Sequence, residues 1–217
     1  MHTPHHDPSA RRSFLARFAA AAAAFGVTSW PTSAAATAAA DAALVRDDEP
    51  WTRRLSGTSR VVFHAHEPTA GLALRWAQTF LDTQKSSYGR ADKDSGVIVG
   101  LNGKSVGLVF NDAMWSKYPI AQTLAMSGTV NPAGPAGTNA IAQLLARGVI
   151  ILVCGNSLRA SGQRFLPEPQ RSDAAARTAF AAEVTANLAP GIEVVPAMVV
   201  TLQMAQDRGC RYVYAGG

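Results

Sequence analysis

The sequence predicts an α/β fold: a three-layer sandwich around a mostly parallel five-stranded sheet. Three observations lead there. Short β-branched runs alternate with stretches of helical periodicity along most of the chain. The run Val149-Ile150-Ile151-Leu152-Val153-Cys154 has no polar face, as a strand covered on both sides requires. At 217 residues with 47% hydrophobic and 16% charged residues, the chain has room for one well-packed domain and not comfortably for two.

Taken in order, the elements begin after a polar linker over residues 41–59. Arg60-Val61-Val62-Phe63-His64-Ala65 is β-branched and stops at Glu67-Pro68, so it reads as the first strand. From Thr69, a possible N-cap, the apolar residues Leu72, Trp76 and Phe80 and then Leu74, Ala77 and Leu81 recur at helical steps. Val97 to Leu101 forms the second strand, closed by Asn102-Gly103, and the mixed segment from Ser105 to Ala125 reads as helix in one or two pieces interrupted at Pro119. Residues 127–138, with glycines at 128, 134 and 137 and prolines at 132 and 135, cannot continue a helix and read as an exposed loop insertion. Asn139 to Arg147 then forms a helix that ends at Gly148, and the apolar strand follows. An alanine-rich helix over Ser172 to Leu188 is stopped by Pro190-Gly191. Ile192 to Val195 is a fourth strand, Ala197 to Asp207 a helix, and Tyr212 to Ala215 a fifth strand. With right-handed crossovers, residues 60–217 make one domain.

The first forty residues stand apart. Arg11-Arg12 is followed by a moderately apolar run from Phe14 to Val27 and then by an alanine-rich stretch, which resembles a twin-arginine signal peptide over residues 1–40. A spanning helix needs about 20 apolar residues, more than this run supplies. Cleavage is expected after Ala36 or Ala40. The resemblance implies export to a periplasmic or external compartment, with no membrane attachment after cleavage and with folding, cofactor insertion or assembly before transport. Removing the segment takes away Arg11, Arg12 and Arg17 and one acid, Asp7, so a formal charge of +5 falls to +3. That balance gives no ground for nucleic acid as a partner.

Chemistry is most economically placed at Cys154. It ends the covered strand and is followed by Gly155, Asn156 and Ser157, and ligand crevices of open parallel sheets lie beyond the carboxyl ends of the strands. If the amides of Asn156 and Ser157 point at the sulfur, they and a helix N-terminus favour the thiolate that nucleophilic sulfur chemistry needs. The alternative is a small buried hydrophobe capping the strand. Cys210 precedes the last strand, at the opposite edge, roughly 15 to 20 Å away. No intramolecular disulfide is therefore expected, since its Cα atoms must lie within about 7 Å.

Three stretches together carry a resemblance. Gly148 to Leu158, then Val194-Val195-Pro196-Ala197-Met198-Val199, then Gln206 to Tyr214 with Gly209 and Cys210, resemble the DsrE/DsrF-like family of small sulfur-relay proteins, over about Arg60 to Gly216. The resemblance implies that Cys154 accepts sulfur as a persulfide and passes it on, that the partners are a sulfur donor and acceptor, protein or small molecule, and that the protein assembles as a homo-oligomer; the sequence identifies no cofactor, and this reading requires none. Well-understood relay members are cytoplasmic, whereas this chain carries an export leader. Its Gly/Pro loop and the segment Asn111 to Trp115 suggest an exported subgroup.

The competing site is a metal or small-ligand centre. His64 and His66 flank Ala65 and point to one face of an extended strand, with Glu67 behind them and Cys154 on the same edge; Zn or Cu suits such donors. The alternative leaves one histidine lining the crevice and the other bonded in a loop. Other signals are weaker. Only two residues separate the glycines in Gly100-Leu101-Asn102-Gly103-Lys104-Ser105, so this is no phosphate loop. No Gly-x-Ser-x-Gly elbow is present. Met114, Trp115 and Tyr118 read as core or subunit interface, and Arg159, Arg164 and Arg171 as a solvated face.

Overall fold

The structure is a computed structural model and describes residues 49–216. The leader and cleavage sites expected over residues 1–40 lie outside the described residues. Five strands, β1 (Ser59–Ala65), β2 (Ser95–Leu101), β3 (Ile150–Cys154), β4 (Glu193–Val195) and β5 (Arg211–Tyr214), form one sheet in the order β4-β3-β2-β1-β5. Every pairing is parallel. The helices are α1 (Pro50–Arg54), α2 (Leu72–Tyr88), α3 (Asp112–Lys117), α4 (Ile120–Thr123), α5 (Ala140–Ala146), α6 (Gly155–Phe165), α7 (Glu168–Arg171), α8 (Ala174–Ala186) and α9 (Met198–Asp207).

The two-residue period of the strands divides the core into two. Val61, Phe63, Val99, Leu101, Ile151 and Val153 face one side, where α2, α5, α6 and α8 cover them with residues such as Leu74, Leu144, Leu158 and Phe180. The alternate residues Val62, Ile98, Ile150, Leu152, Cys154 and Val195 face the other side, covered by Trp51 and Leu55 around α1 and by Met198 and Ala205 of α9. The result is the expected three-layer α/β sandwich. A helix lies this close to β2 because position 100 is glycine: a Cβ there would meet Met198 Sδ at 2.8 Å.

Several local expectations are corrected. Part of the expected linker over 41–59 is helix α1, where Trp51 is fully buried in the core. Thr69 does not cap α2; residues 69–71 form a 3-10 turn, and the N-cap is Gly71 in the left-handed region at φ 75°. On α2 the buried stripe is Ala73, Leu74, Ala77 and Leu81, while Trp76 is 39% exposed. Residues 103–109 form a 3-10 run ahead of α3 and α4. Nor is the 127–138 loop a wholly exposed insertion. Asn131 is fully buried, its Nδ2 donating to the Leu108 and Phe110 carbonyls at 2.8 and 2.7 Å and its Oδ1 accepting from Ala133 N at 2.9 Å. The side chain replaces the strand or helix bonds that the 3-10 run leaves open.

Candidate functional site

Cys154 is both the last residue of β3 and the N-cap of α6, in extended backbone at φ −72° and ψ 116°. The carboxyl edge of a parallel sheet brings helix N-termini together. Here α6 begins at Gly155 and α9 at Met198, because Cys154 pairs with Val195 and β4 leads directly into α9. The Met198 backbone N–H donates to Cys154 Sγ at 3.4 Å. Ser157 and the amides of Ser157 and Asn156 also interact with the sulfur. The Gly103 N–H donates to Ser157 Oγ at 3.0 Å, which leaves the hydroxyl proton for the sulfur. Gly103 sits at φ +56°, and a Cβ there would lie 2.4 Å from the His66 ring, so only glycine fits between the imidazole and Ser157.

Burial pushes the Cys154 thiol up, but the Ser157 hydroxyl and the Met198, Ser157 and Asn156 amides outweigh it and hold the thiol below its ordinary value. The expected amide surroundings are present. The expected accessibility is not: Cys154 is buried at 4% exposure, among Leu152, Val195 and Met198. Gly155 is buried, Ser157 half-buried and Asn156 exposed. Cys210 is also buried and free, with its thiol pushed up by burial, partly offset by the charge of Arg60.

His64 and His66 end on the same face and edge as Cys154 without joining it. Asn102 Oδ1 accepts from His64 Nε2 at 3.0 Å, so the Tyr212 hydroxyl donates to His64 Nδ1 at 2.9 Å. Both ring nitrogens are thereby taken, while His66 is exposed. Burial holds His64 below the usual histidine value, against the Asn102 hydrogen bond, and the neighbouring His66 lowers it slightly further. Among the described residues no group of three or more His, Cys, Asp or Glu is gathered for a metal ion.

The strand order adds a location that spacing alone does not reveal. From β1 the chain steps outward to β4 and then returns to the far side of β1, so the order reverses between β1 and β5. Crevices at such reversals commonly hold ligands. His64, Tyr212 and Tyr214 occupy this one, the two tyrosine rings 5.8 and 5.7 Å from the imidazole. The sequence reading missed Asn102, Met198, Tyr212 and Tyr214. The Gly-aromatic end of the chain was the available signal for the tyrosines.

No family model matches the chain, and no curated protein matches it. Among solved structures the chain is similar to MTH1491, a protein of unknown function from Methanobacterium thermoautotrophicum, at 18% identity and a TM-score of 0.42, over 72% of this chain and 99% of that one. Among the described residues no helix is long and apolar enough to cross a membrane.

Proposed function

We propose that this protein carries or transfers sulfur as a persulfide on Cys154, as an exported homo-oligomer of the DsrE/DsrF type. The observation that supports the reading is the convergence of the α6 and α9 N-termini on one sulfur, with Met198 N–H at 3.4 Å and Ser157 beside it. Such dipoles stabilise a thiolate, and equally the anion of a persulfide. In the transfer step the Cys154 thiolate attacks the outer sulfur of a donor persulfide. The donor S–S bond breaks, its thiolate leaves, and a new S–S bond forms on Cys154, with no net oxidation. Asn156 and Ser157 hold the charge, and Gly155 lets the chain turn from strand to helix without a side chain against the Val195 carbonyl, 3.2 Å from where a Cβ would stand. Because Cys154 is buried beneath Met198, a donor reaches its sulfur when the Ala197–Met198 segment shifts.

The test is incubation of the full chain with inorganic polysulfide, followed by mass analysis of intact protein and peptides. One added sulfur on the Cys154 peptide, absent from Cys154→Ser and retained in Cys210→Ser, is the expected result; no gain at Cys154 overturns the reading. The burial of the sulfur favours a second reading, a non-catalytic small-ligand or metal-binding module using the same sheet edge around His64 and His66. In that case Cys154 stays unmodified in the folded protein, and a ligand or metal recovered with it depends on the exposed His66, since both ring nitrogens of His64 are engaged.

A further inference from the structure

A cavity of about 440 Å³ lies between α6 and α8 beside the free edge of β4. Its floor is apolar, formed by Leu158, Phe180, Val184 and Val194, and two guanidiniums, Arg159 from α6 and Arg177 from α8, stand over it. It opens on the face of β3 opposite the Cys154 sulfur, because Leu158, Phe180 and Val184 belong to the other core layer.

Among the described residues no acid neutralises either cation. Arg159 bonds the neutral Asn156 side chain, and Arg177 Nη1 donates to the Arg171 carbonyl at 2.9 Å. None of the residues lining the cavity is acidic. Gly155, the first residue of the eleven-residue helix α6, lies at one end of the cavity, and a Cβ there would stand 3.6 Å from the Arg159 guanidinium. Arg159 and the α6 N-terminus thus place positive potential at one end of a recess whose floor repels water, and Arg177, near the start of α8, adds a second cation to its lining. Charge-assisted hydrogen bonds there answer an anionic head, and the hydrophobic effect answers an apolar body.

The geometry points to a binding site for a small amphipathic organic anion, a carboxylate or sulfonate with a short apolar chain. Its head pairs with Arg159 beside the α6 N-terminus and its chain lies over Val184 and Phe180. The volume is that of an ordinary small-molecule site, and the inference does not depend on any reactivity of Cys154.

Calorimetric titration of the full chain with sodium octanoate and, separately, with 1-octanol tests this. Octanoate is expected to bind at one site per chain, at least about tenfold tighter than the alcohol, since a charge-assisted bond contributes about that factor. Arg159→Gln removes most of the difference, and Arg177→Gln removes less of it. Ala181→Trp, at an exposed helical position lining the recess, fills it and abolishes uptake of both compounds, with circular dichroism confirming the fold. Equal affinity for acid and alcohol, undiminished octanoate binding in Ala181→Trp, or no saturable binding overturns the inference. Self-association that closes the recess against octanoate overturns it as well.

Discussion

At Cys154, burial and hydrogen bonding pull the same sulfur in opposite directions, and the donors prevail. At Cys210 burial prevails instead. The two thiols of one chain therefore ionise in a defined order. Site-resolved alkylation of the native protein across pH is expected to show a lower midpoint for Cys154 than for Cys210, and Ser157→Ala raises the first while leaving the second in place. The reverse order would mean that the amides around Cys154 do not face its sulfur. His64 provides a second titration. Its folded pKa lies below the unfolded value of about 6.5, so the unfolded chain binds the proton more readily. Its contribution is fully present above that unfolded value and is lost as pH falls toward the folded pKa. Urea unfolding between about pH 7 and 5 should show the native protein losing stability more steeply than His64→Gln; parallel curves would remove His64 as the cause. What the sequence showed at this scale was local. Asn156 and Ser157 are neighbours of Cys154, but Met198 lies 44 residues away and Tyr212 lies 148 residues from His64, and only strand pairing brings them in.

Among the elements, those with a strong period were legible. The β3 run was recognisable from its unbroken apolar character, because a strand buried on both faces has no polar alternative. On α2 the row Leu74, Ala77 and Leu81 is the buried one, while the row Leu72, Trp76 and Phe80, which shares its helical spacing, is not fully buried, because which face turns inward is settled by the sheet it packs on. The 127–138 segment was legible as irregular from its glycines and prolines, but its anchor was not, since Asn131 bonds carbonyls 23 and 21 residues earlier. That anchor carries a prediction. Asn131→Ala leaves two buried carbonyls and the Ala133 N–H without their partner, and about 3 kcal/mol of stability is lost at a typical cost per unsatisfied buried group. Denaturant titration reads it directly; a change below about 1 kcal/mol would mean that water reaches the loop and replaces the amide.

Across the whole molecule, strand order decides what sequence distance cannot. The two faces of the sheet are covered unequally, by α2, α5, α6 and α8 on one side and by the short helices α1 and α9 on the other. The thinner side holds both cysteines, and its covering helix α9 also closes over the Cys154 sulfur, so the accessibility of the thiol was settled by tertiary packing and was illegible in the residues around it. Sharing a layer does not bring the cysteines together. β3 and β5 are separated by β2 and β1, and three interstrand steps at about 4.8 Å place them about 14 Å apart before the offset along the strands is added. A disulfide spans at most about 7 Å between Cα atoms. Exposure of the folded full chain to a mild oxidant such as diamide should therefore leave Cys154 and Cys210 unlinked within a chain, and the intramolecular bridge should form only after denaturant has dissolved the sheet. A non-reducing peptide map that joins the two in the native protein would contradict the order β4-β3-β2-β1-β5, and with it the reversal between β1 and β5 that places His64 and Tyr212 in one crevice.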